Sequence, residues 1–189
     1  MTEHSWHYPD FSRSIAYNKV DRTRNNANSP GVVFLGGLAS DMEGTKAKYL
    51  ENWAKDSGNS FIRFDYTGHG KSSGNFSEGS IASWFQDALS VLDELTTGKQ
   101  ILVGSSMGGW IALLLAKHKP ERVHSLIGIA AAPDFTEDYM WNSFDDKQKQ
   151  KIMEEGFIYQ ESEYSEEPYK ISKNLIIHSR EHLILRERL

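Results

Sequence analysis

The chain has no cysteine, no cluster of basic residues and no long apolar run. Without cysteine it can form neither disulfides nor thiolate metal sites. Its net charge of -5 argues against nucleic acid or an anionic membrane as a partner. No stretch has transmembrane length, and the first residues lack both the basic segment and the apolar segment of a secretory signal. We therefore expect a cytoplasmic protein without a membrane span, and we expect no metal and no cofactor.

The most informative stretch runs from Gln100 to Lys117. A short apolar strand over 101–103 leads into Gly104-Ser-Ser-Met-Gly108, which fits G-x-S-x-G around Ser106, and an apolar helix follows. Between a strand and a helix this pattern is typical of a nucleophile elbow, in which a sharp turn presents the serine hydroxyl. The alternative is a plain Gly/Ser loop that leads into a helix.

Strand and helix patterns alternate along the rest of the chain up to residue 134. Strands are predicted over residues 11–20, 31–35, 60–65 and 125–132, and helices over 42–55 and 80–95. Ser40 or Asp41 is the expected N-cap of the first helix. The alternation predicts a doubly wound, mostly parallel α/β sheet.

A serine nucleophile in acyl transfer needs two backbone amides that stabilise the oxyanion. One would come from Met107, which follows the serine at the start of its helix, where the helix dipole favours negative charge. The second would come from Leu38, because Gly36 and Gly37 let the backbone after the strand over 31–35 approach a substrate closely. The alternative is that these two glycines only form a tight turn where the chain leaves the strand.

Three ordered motifs carry a family resemblance: residues 34–38 (FLGGL), 64–74 (FDYTGHGKSSG) and 104–110 (GSSMGGW). With them, the sequence resembles the serine hydrolases of the α/β-hydrolase fold. Residues 131–141 (AAPDFTEDYMW) make it similar to a bacterial and mitochondrial branch that includes a palmitoyl-protein thioesterase and acyl-glucuronide esterase.

The resemblance implies Ser106 as nucleophile, backbone donors at Leu38 and Met107, and a supporting, non-catalytic role for His69. It divides the chain into a hydrolase core over 1–134 and a small helical cap over 135–189, with a short helix near 147–155 and a final helix over 171–185. The residues expected to bind the acyl or aryl part of a small ester or thioester substrate are Gly37, Tyr139 and Trp141. The two cap aromatics would otherwise be plain cap core.

The family's triad acid and histidine follow its seventh and eighth strands, and no such positions exist in this sequence. The sheet is therefore expected to lack its last strands, and neither the triad acid nor the base is assigned in this chain. Asp65 and Asp134 lie at strand ends without a partner histidine, and Asp145 and Asp146 are expected to cap a helix. His178 and His182 have metal-ligand spacing, yet they lack a third ligand and fit polar positions on a cap helix better.

Two functional hypotheses remain. The first is a serine hydrolase of carboxyl esters or acyl thioesters that works through a Ser106 acyl-enzyme, with the missing base supplied by another chain or by a longer enzyme. The second is a truncated, inactive remnant or binding module. Haloalkane and epoxide chemistry is excluded, since it needs a carboxylate at position 106. The open apolar strand over 126–131 also predicts a homodimer through this edge or through the cap.

Overall fold

A computed structural model describes residues 4–10, 12–23, 29–161 and 168–186. The strands of the main sheet are β1 (Ser5–Asp10), β2 (Arg13–Val20), β3 (Gly31–Leu35), β4 (Phe61–Phe64), β5 (Gln100–Ser105) and β6 (Val123–Ile129). Two further strands, β7 (Phe157–Gln160) and β8 (Tyr169–Ser172), form a separate antiparallel pair. The α-helices are α1 (Thr45–Ser57), α2 (Ile81–Leu95), α3 (Met107–His118), α4 (Asp146–Glu155) and α5 (Lys173–Ser179).

The six main strands lie in the order β1-β2-β4-β3-β5-β6. The β4, β3, β5 and β6 strands are parallel, while β1 and β2 pair antiparallel at one edge. This arrangement confirms the predicted α/β class with a mostly parallel sheet. Leu35 pairs with Gly104 in the ladder between β3 and β5. The carboxyl ends of these neighbouring strands therefore place the Gly36–Leu38 loop beside Ser106.

The helices that cover the sheet follow from local sequence. Ser80 caps α2 in a capping box with Ser83, and the apolar stripe of α2, including Trp84 and Leu92, is fully buried. The helix α3 is buried on nearly all sides, as its apolar sequence predicts. Gly58 ends α1 in a left-handed conformation with φ 71°.

The predicted start of α1 is wrong. The helix begins at Thr45, and its N-cap is Gly44 in place of Ser40 or Asp41. Those two polar side chains are used within the preceding loop, since the Ser40 hydroxyl donates to the Gly37 carbonyl at 2.8 Å and the Asp41 carboxylate accepts from the Glu43 amide at 2.9 Å. Local hydrogen bonds of this kind compete with helix initiation.

The strand predictions at both edges of the sheet also need correction. Phe11 lies outside the described residues, and β1 was not predicted. The last predicted strand, over 125–132, is instead β6 over Val123–Ile129, and it is largely exposed although its apolar residues predicted burial. Among the described strands β6 forms an edge, so Ile127 remains 53% exposed.

The segment after residue 134 contains more regular structure than predicted. A π-helix over Thr136–Trp141 precedes α4, which matches the short predicted helix and is capped by Asp145. The predicted helix over 171–185 is wrong in its first part, because Ile171 pairs with Ile158 in the β7–β8 ladder. The helix α5 then starts at Lys173, with the Ser172 side chain as its N-cap.

The helices of this segment pack on the main core. Met140, Ile152 and Leu175 belong to the same continuous buried cluster as the apolar faces of α2 and α3. The division into a core and a cap at residue 134 stays a prediction. None of the helices in the described residues is long and apolar enough to cross a bilayer.

We predict that the exposed β6 edge drives self-association, because an open strand with an exposed apolar residue is a template for pairing with another chain. Ile127→Lys should lower the dimer fraction measured by analytical ultracentrifugation. The control is Tyr49→Lys, which removes an exposed aromatic side chain from α1 and should leave the dimer fraction unchanged. A wild-type chain that stays monomeric at high concentration in light scattering would contradict this prediction.

Candidate functional site

Ser106 occupies the sharp turn between β5 and α3. Its backbone angles are φ 53° and ψ −118°, a region that non-glycine residues rarely adopt. The Ser106 amide donates to the Ile129 carbonyl at 3.0 Å, and its carbonyl accepts from the Ala132 amide at 3.1 Å. Ser106 is exposed while its neighbours Ser105 and Met107 are buried. The turn thus presents one residue to solvent, and both the amide and the carbonyl of that residue are hydrogen-bonded to the exit of β6.

Glycines allow the start of α3 to lie directly against the sheet. A Cβ atom on Gly108 would overlap the backbone oxygen of Leu35, and one on Gly104 would overlap the backbone oxygen of Gly108. The loop after β3 lies in van der Waals contact with this turn, since a Cβ on Gly37 would lie 3.5 Å from the Ser106 Cβ. The structure therefore brings together Ser106 and Gly37, as the sequence predicted.

The two predicted amide donors, Met107 and Leu38, flank the contact between Ser106 and Gly37. Met107 is the first residue of α3, and amides in the first turn of a helix have no acceptor within that helix. Leu38 follows Gly37, and its amide makes no hydrogen bond within the described part of the chain. Both amides are therefore available to a ligand, and their role as an oxyanion hole stays a prediction.

His69 is buried in the Gly-His-Gly loop and is hydrogen-bonded to backbone on both sides of its ring. The Ala39 amide donates to Nε2 at 3.2 Å, and Nδ1 lies 3.3 Å from the Thr67 carbonyl. Burial lowers the pKa of His69 from its ordinary 6.5 to about 4, so the imidazole is neutral at pH 7. This agrees with the supporting role expected for His69.

The two strand-end aspartates are engaged by backbone amides. Asp65 accepts from the amides of Met42 at 2.6 Å and Lys71 at 2.9 Å, and burial raises the pKa of its carboxyl group. Asp134 is fully buried and accepts from the amides of Ile184 at 2.8 Å and Leu185 at 2.9 Å. Both carboxylates therefore tie loops to the sheet.

The exit of β6 was missed by sequence reasoning. Ala130 (φ 46°) and Asp134 (φ 57°) both have positive φ, and the backbone between them contacts Ser106 and Gly109. Arg186 forms ion pairs with Asp134 and Asp138, so the end of the described chain is clamped onto this exit. No pattern in the sequence connects residue 134 with residues 184–186.

The predicted cap aromatics occupy different surroundings. Tyr139 is 71% exposed, whereas Trp141 packs on the core and lies beneath the guanidinium carbon of Arg180 at 5.0 Å and the ammonium of Lys149 at 5.6 Å. Two clefts of the described residues lie elsewhere, one at the amino ends of β3 and β4 and one over α1. Substrate binding by Tyr139 and Trp141 stays a prediction.

The histidine pair of the final segment is split between two elements. His178 lies on α5, whereas His182 lies in the 3-10 turn over Arg180–His182, where its carbonyl accepts from the Trp110 indole at 3.0 Å. Within the described ranges no group of three or more His, Cys, Asp or Glu side chains is arranged to hold a metal ion.

A family model described as the alpha/beta hydrolase fold matches residues 30–161. The chain belongs to the α/β-hydrolase fold family. Its strand order and the position of Ser106 at the carboxyl end of a central strand agree with that membership.

The relatives of this α/β-hydrolase chain include a human protein named palmitoyl-protein thioesterase ABHD10, mitochondrial. The two are 40% identical over 173 residues, which cover 91% of this chain and 55% of the human protein. A crystal structure of a putative hydrolase from Agrobacterium vitis S4 is similar over 100% of this chain and 76% of that one, with 36% identity and a TM-score of 0.90. The structure of mouse alpha/beta hydrolase domain-containing protein 10 is similar over 98% of this chain and 72% of that one, with 34% identity and a TM-score of 0.86. The chain spans about half the length of the curated relatives it matches.

We predict that Gly108→Ala destabilises the fold by about 3 kcal/mol, because the new methyl group would force the start of α3 away from Leu35. The free energy of unfolding from urea denaturation measures this change. Gly44→Ala is the matched control, since its Cβ would lie 3.6 Å from the nearest neighbouring atom, the Asp41 carbonyl oxygen, and should cost under about 1 kcal/mol. Equal effects of the two changes would contradict the close packing at Gly108.

The low pKa of His69 predicts a stability loss in mild acid. In the unfolded chain this histidine takes up a proton near its ordinary pKa of 6.5, whereas the folded protein resists protonation down to about 4. Stability is therefore complete above pH 6.5 and falls as the pH drops from 6.5 towards 4. Between about pH 7 and about pH 4.5 wild type should lose about 2 kcal/mol more than His69→Gln. The free energies of unfolding of both proteins are measured by urea titration at both pH values. If wild type and His69→Gln lose the same free energy of unfolding between the two pH values, a buried neutral His69 is contradicted.

Proposed function

We propose that this chain contributes the nucleophile and oxyanion hole of a serine hydrolase that acts on carboxyl esters or acyl thioesters. The observation that carries the proposal is the exposed Ser106 at positive φ, in a strand-to-helix turn directly beside Gly37. A serine held in this way presents its hydroxyl to a ligand above the carboxyl ends of the strands.

In this mechanism the Ser106 Oγ attacks the carbonyl carbon of the acyl group, and its proton passes to a general base. The carbonyl oxygen becomes an oxyanion that accepts hydrogen bonds from the Leu38 and Met107 amides. Collapse expels the alcohol or thiol, which takes up the proton, and leaves an acyl-serine. Water then attacks the acyl carbon and releases the carboxylic acid.

None of the titratable groups described above beside the site is free to act as the general base. His69 is occupied on both ring nitrogens by backbone groups, and its low pKa makes it a poor proton acceptor. Asp65 and Asp134 are already bound to backbone amides. We therefore propose that the base and its orienting acid come from a second chain or from a longer form of the protein.

The relatives support the proposed substrate class. The human relative is named a palmitoyl-protein thioesterase, which supports an acyl thioester or ester as the substrate of this chain. The same relatives are named mitochondrial proteins, so the cytoplasmic location expected from the sequence stays a prediction.

A second candidate is a catalytically inactive binding module that keeps the same turn. The engagement of Asp65, His69 and Asp134 by backbone groups favours it, because each of these residues already serves the fold. Such a module would bind an acyl group without forming a covalent bond.

We predict that a fluorophosphonate probe labels Ser106 in the wild-type chain and that Ser106→Ala abolishes labelling. Ser105→Ala is the matched control, since it removes a buried serine hydroxyl one residue away and should retain labelling. Mass spectrometry of the labelled peptide identifies the modified residue. Absence of labelling in wild type, both alone and with an added full-length relative whose own nucleophile has been inactivated, would reject the hydrolase and favour the binding module. Hydrolysis of a palmitoyl thioester, measured with and without the same inactivated relative, then tests whether a second chain supplies the base.

A further inference from the structure

We propose that His69 is a positioning residue for the oxyanion loop over Gly36–Met42. Its neutral ring, with the proton on Nδ1, uses the bare Nε2 to hold the Ala39 amide and thereby fixes the direction of the Leu38 amide. The functional part of this inference rests on the proposed hydrolase, while the structural part stands independently of it.

The two peptide groups that flank Leu38 are each held by one partner. The Gly37 carbonyl accepts from the Ser40 hydroxyl at 2.8 Å and from the Ser40 amide at 3.3 Å. Because the trans peptide is planar, the Leu38 amide must point away from this carbonyl. The following peptide group is held by the Ala39 amide, which donates to His69 Nε2 at 3.2 Å. The direction of the Leu38 amide is thus set by one contact within the loop and one contact outside it.

The surroundings of His69 require one particular tautomer. An amide can only donate, so Nε2 must carry a lone pair, and a carbonyl can only accept, so Nδ1 must carry the proton. The distance of 3.3 Å between Nδ1 and the Thr67 carbonyl fits that assignment. The low pKa of the ring is consistent with it, because protonation would place a second N–H against the Ala39 amide.

The ring is fixed by packing as well as by hydrogen bonds. His69 is 3% exposed and makes edge-to-face contacts with Tyr66, Phe76 and Trp84 at centroid distances of 5.0 to 5.7 Å. The Trp84 indole donates to the same Thr67 carbonyl that faces Nδ1, at 3.0 Å. The imidazole is therefore a rigid support that reaches from the loop after β4 to the loop after β3.

The oxyanion loop needs external support because it is strained. Ala39 has φ 54°, a left-handed conformation that is unfavourable for a non-glycine residue. Two further groups from β4 and its exit hold the end of the loop. Asp65 accepts from the Met42 amide at 2.6 Å, and Arg63 donates to the Met42 carbonyl at 2.7 Å. Of the three supports, His69 is the one adjacent to Leu38.

The test compares His69→Phe, which keeps the ring shape without an acceptor, with His69→Gln, whose amide oxygen can replace Nε2. Nitrogen chemical shifts of wild-type His69 report the tautomer directly. Amide hydrogen exchange at Ala39 should accelerate by roughly three- to tenfold in His69→Phe, the size expected for one lost hydrogen bond, and His69→Gln should restore much of the protection. The control is His118→Phe, which removes an imidazole that is bonded to the Leu114 carbonyl on α3.

A proton on Nε2 of wild-type His69, or unchanged exchange at Ala39 in a folded His69→Phe variant, would overturn the positioning role. The tautomer measurement tests the positioning role of His69 even if His69→Phe fails to fold. The rate of fluorophosphonate labelling of Ser106 gives the functional consequence and should fall in His69→Phe and recover in His69→Gln. Labelling that is absent in wild type, both alone and with the inactivated full-length relative, would reject the hydrolase, whereas the exchange and tautomer results would still decide whether His69 holds the loop.

Discussion

The structure depends on the contact between the start of α3 and the end of β3, where Gly108 lies against the backbone of Leu35. No side chain larger than hydrogen fits there, so the helix begins immediately above the sheet. This approach forces Ser106 into its positive-φ turn and aligns it with the loop that contains Gly37. Because the parallel register places Leu35 beside Gly104, the two loops meet at one point.

Around this contact the protein uses buried polar groups to hold loops in place. Arg63 is 2% exposed and is neutralised by Glu51 and Glu43, each at 2.6 Å. Hydrogen bonds from Arg63 and Lys48 hold the pKa of the Glu43 carboxyl down at about 2. A buried charge of this kind is tolerated only when its hydrogen bonds are satisfied, and here the same guanidinium also anchors Met42. The buried charge of Arg63, the position of the loop that ends at Met42 and the predicted amide donor at Leu38 are therefore linked through one hydrogen-bond network.

The opposite side of Ser106 is held by the exit of β6 and by the segment that returns to it. Asp134 binds the Ile184 and Leu185 amides, and Arg180 pairs with Glu137 at 2.7 Å while it covers Trp141. The start and the end of the segment over 134–186 are thus fastened to each other beside the exit of β6.

The sequence by itself determined the sheet class, the helix α2 with its cap at Ser80, and the turn at Ser106, because periodicity, capping residues and glycine spacing are local properties. It placed the ends of β6, α1 and α5 wrongly. Hydrogen bonds within the preceding loop delay the start of α1, and the pairing of Ile171 with Ile158 delays the start of α5. The Met42 amide goes to Asp65, and the Ile184 amide goes to Asp134 across 50 residues. Only the tertiary structure decided such pairings, because a buried amide donates to whichever carboxylate or imidazole the folded chain brings within hydrogen-bonding distance.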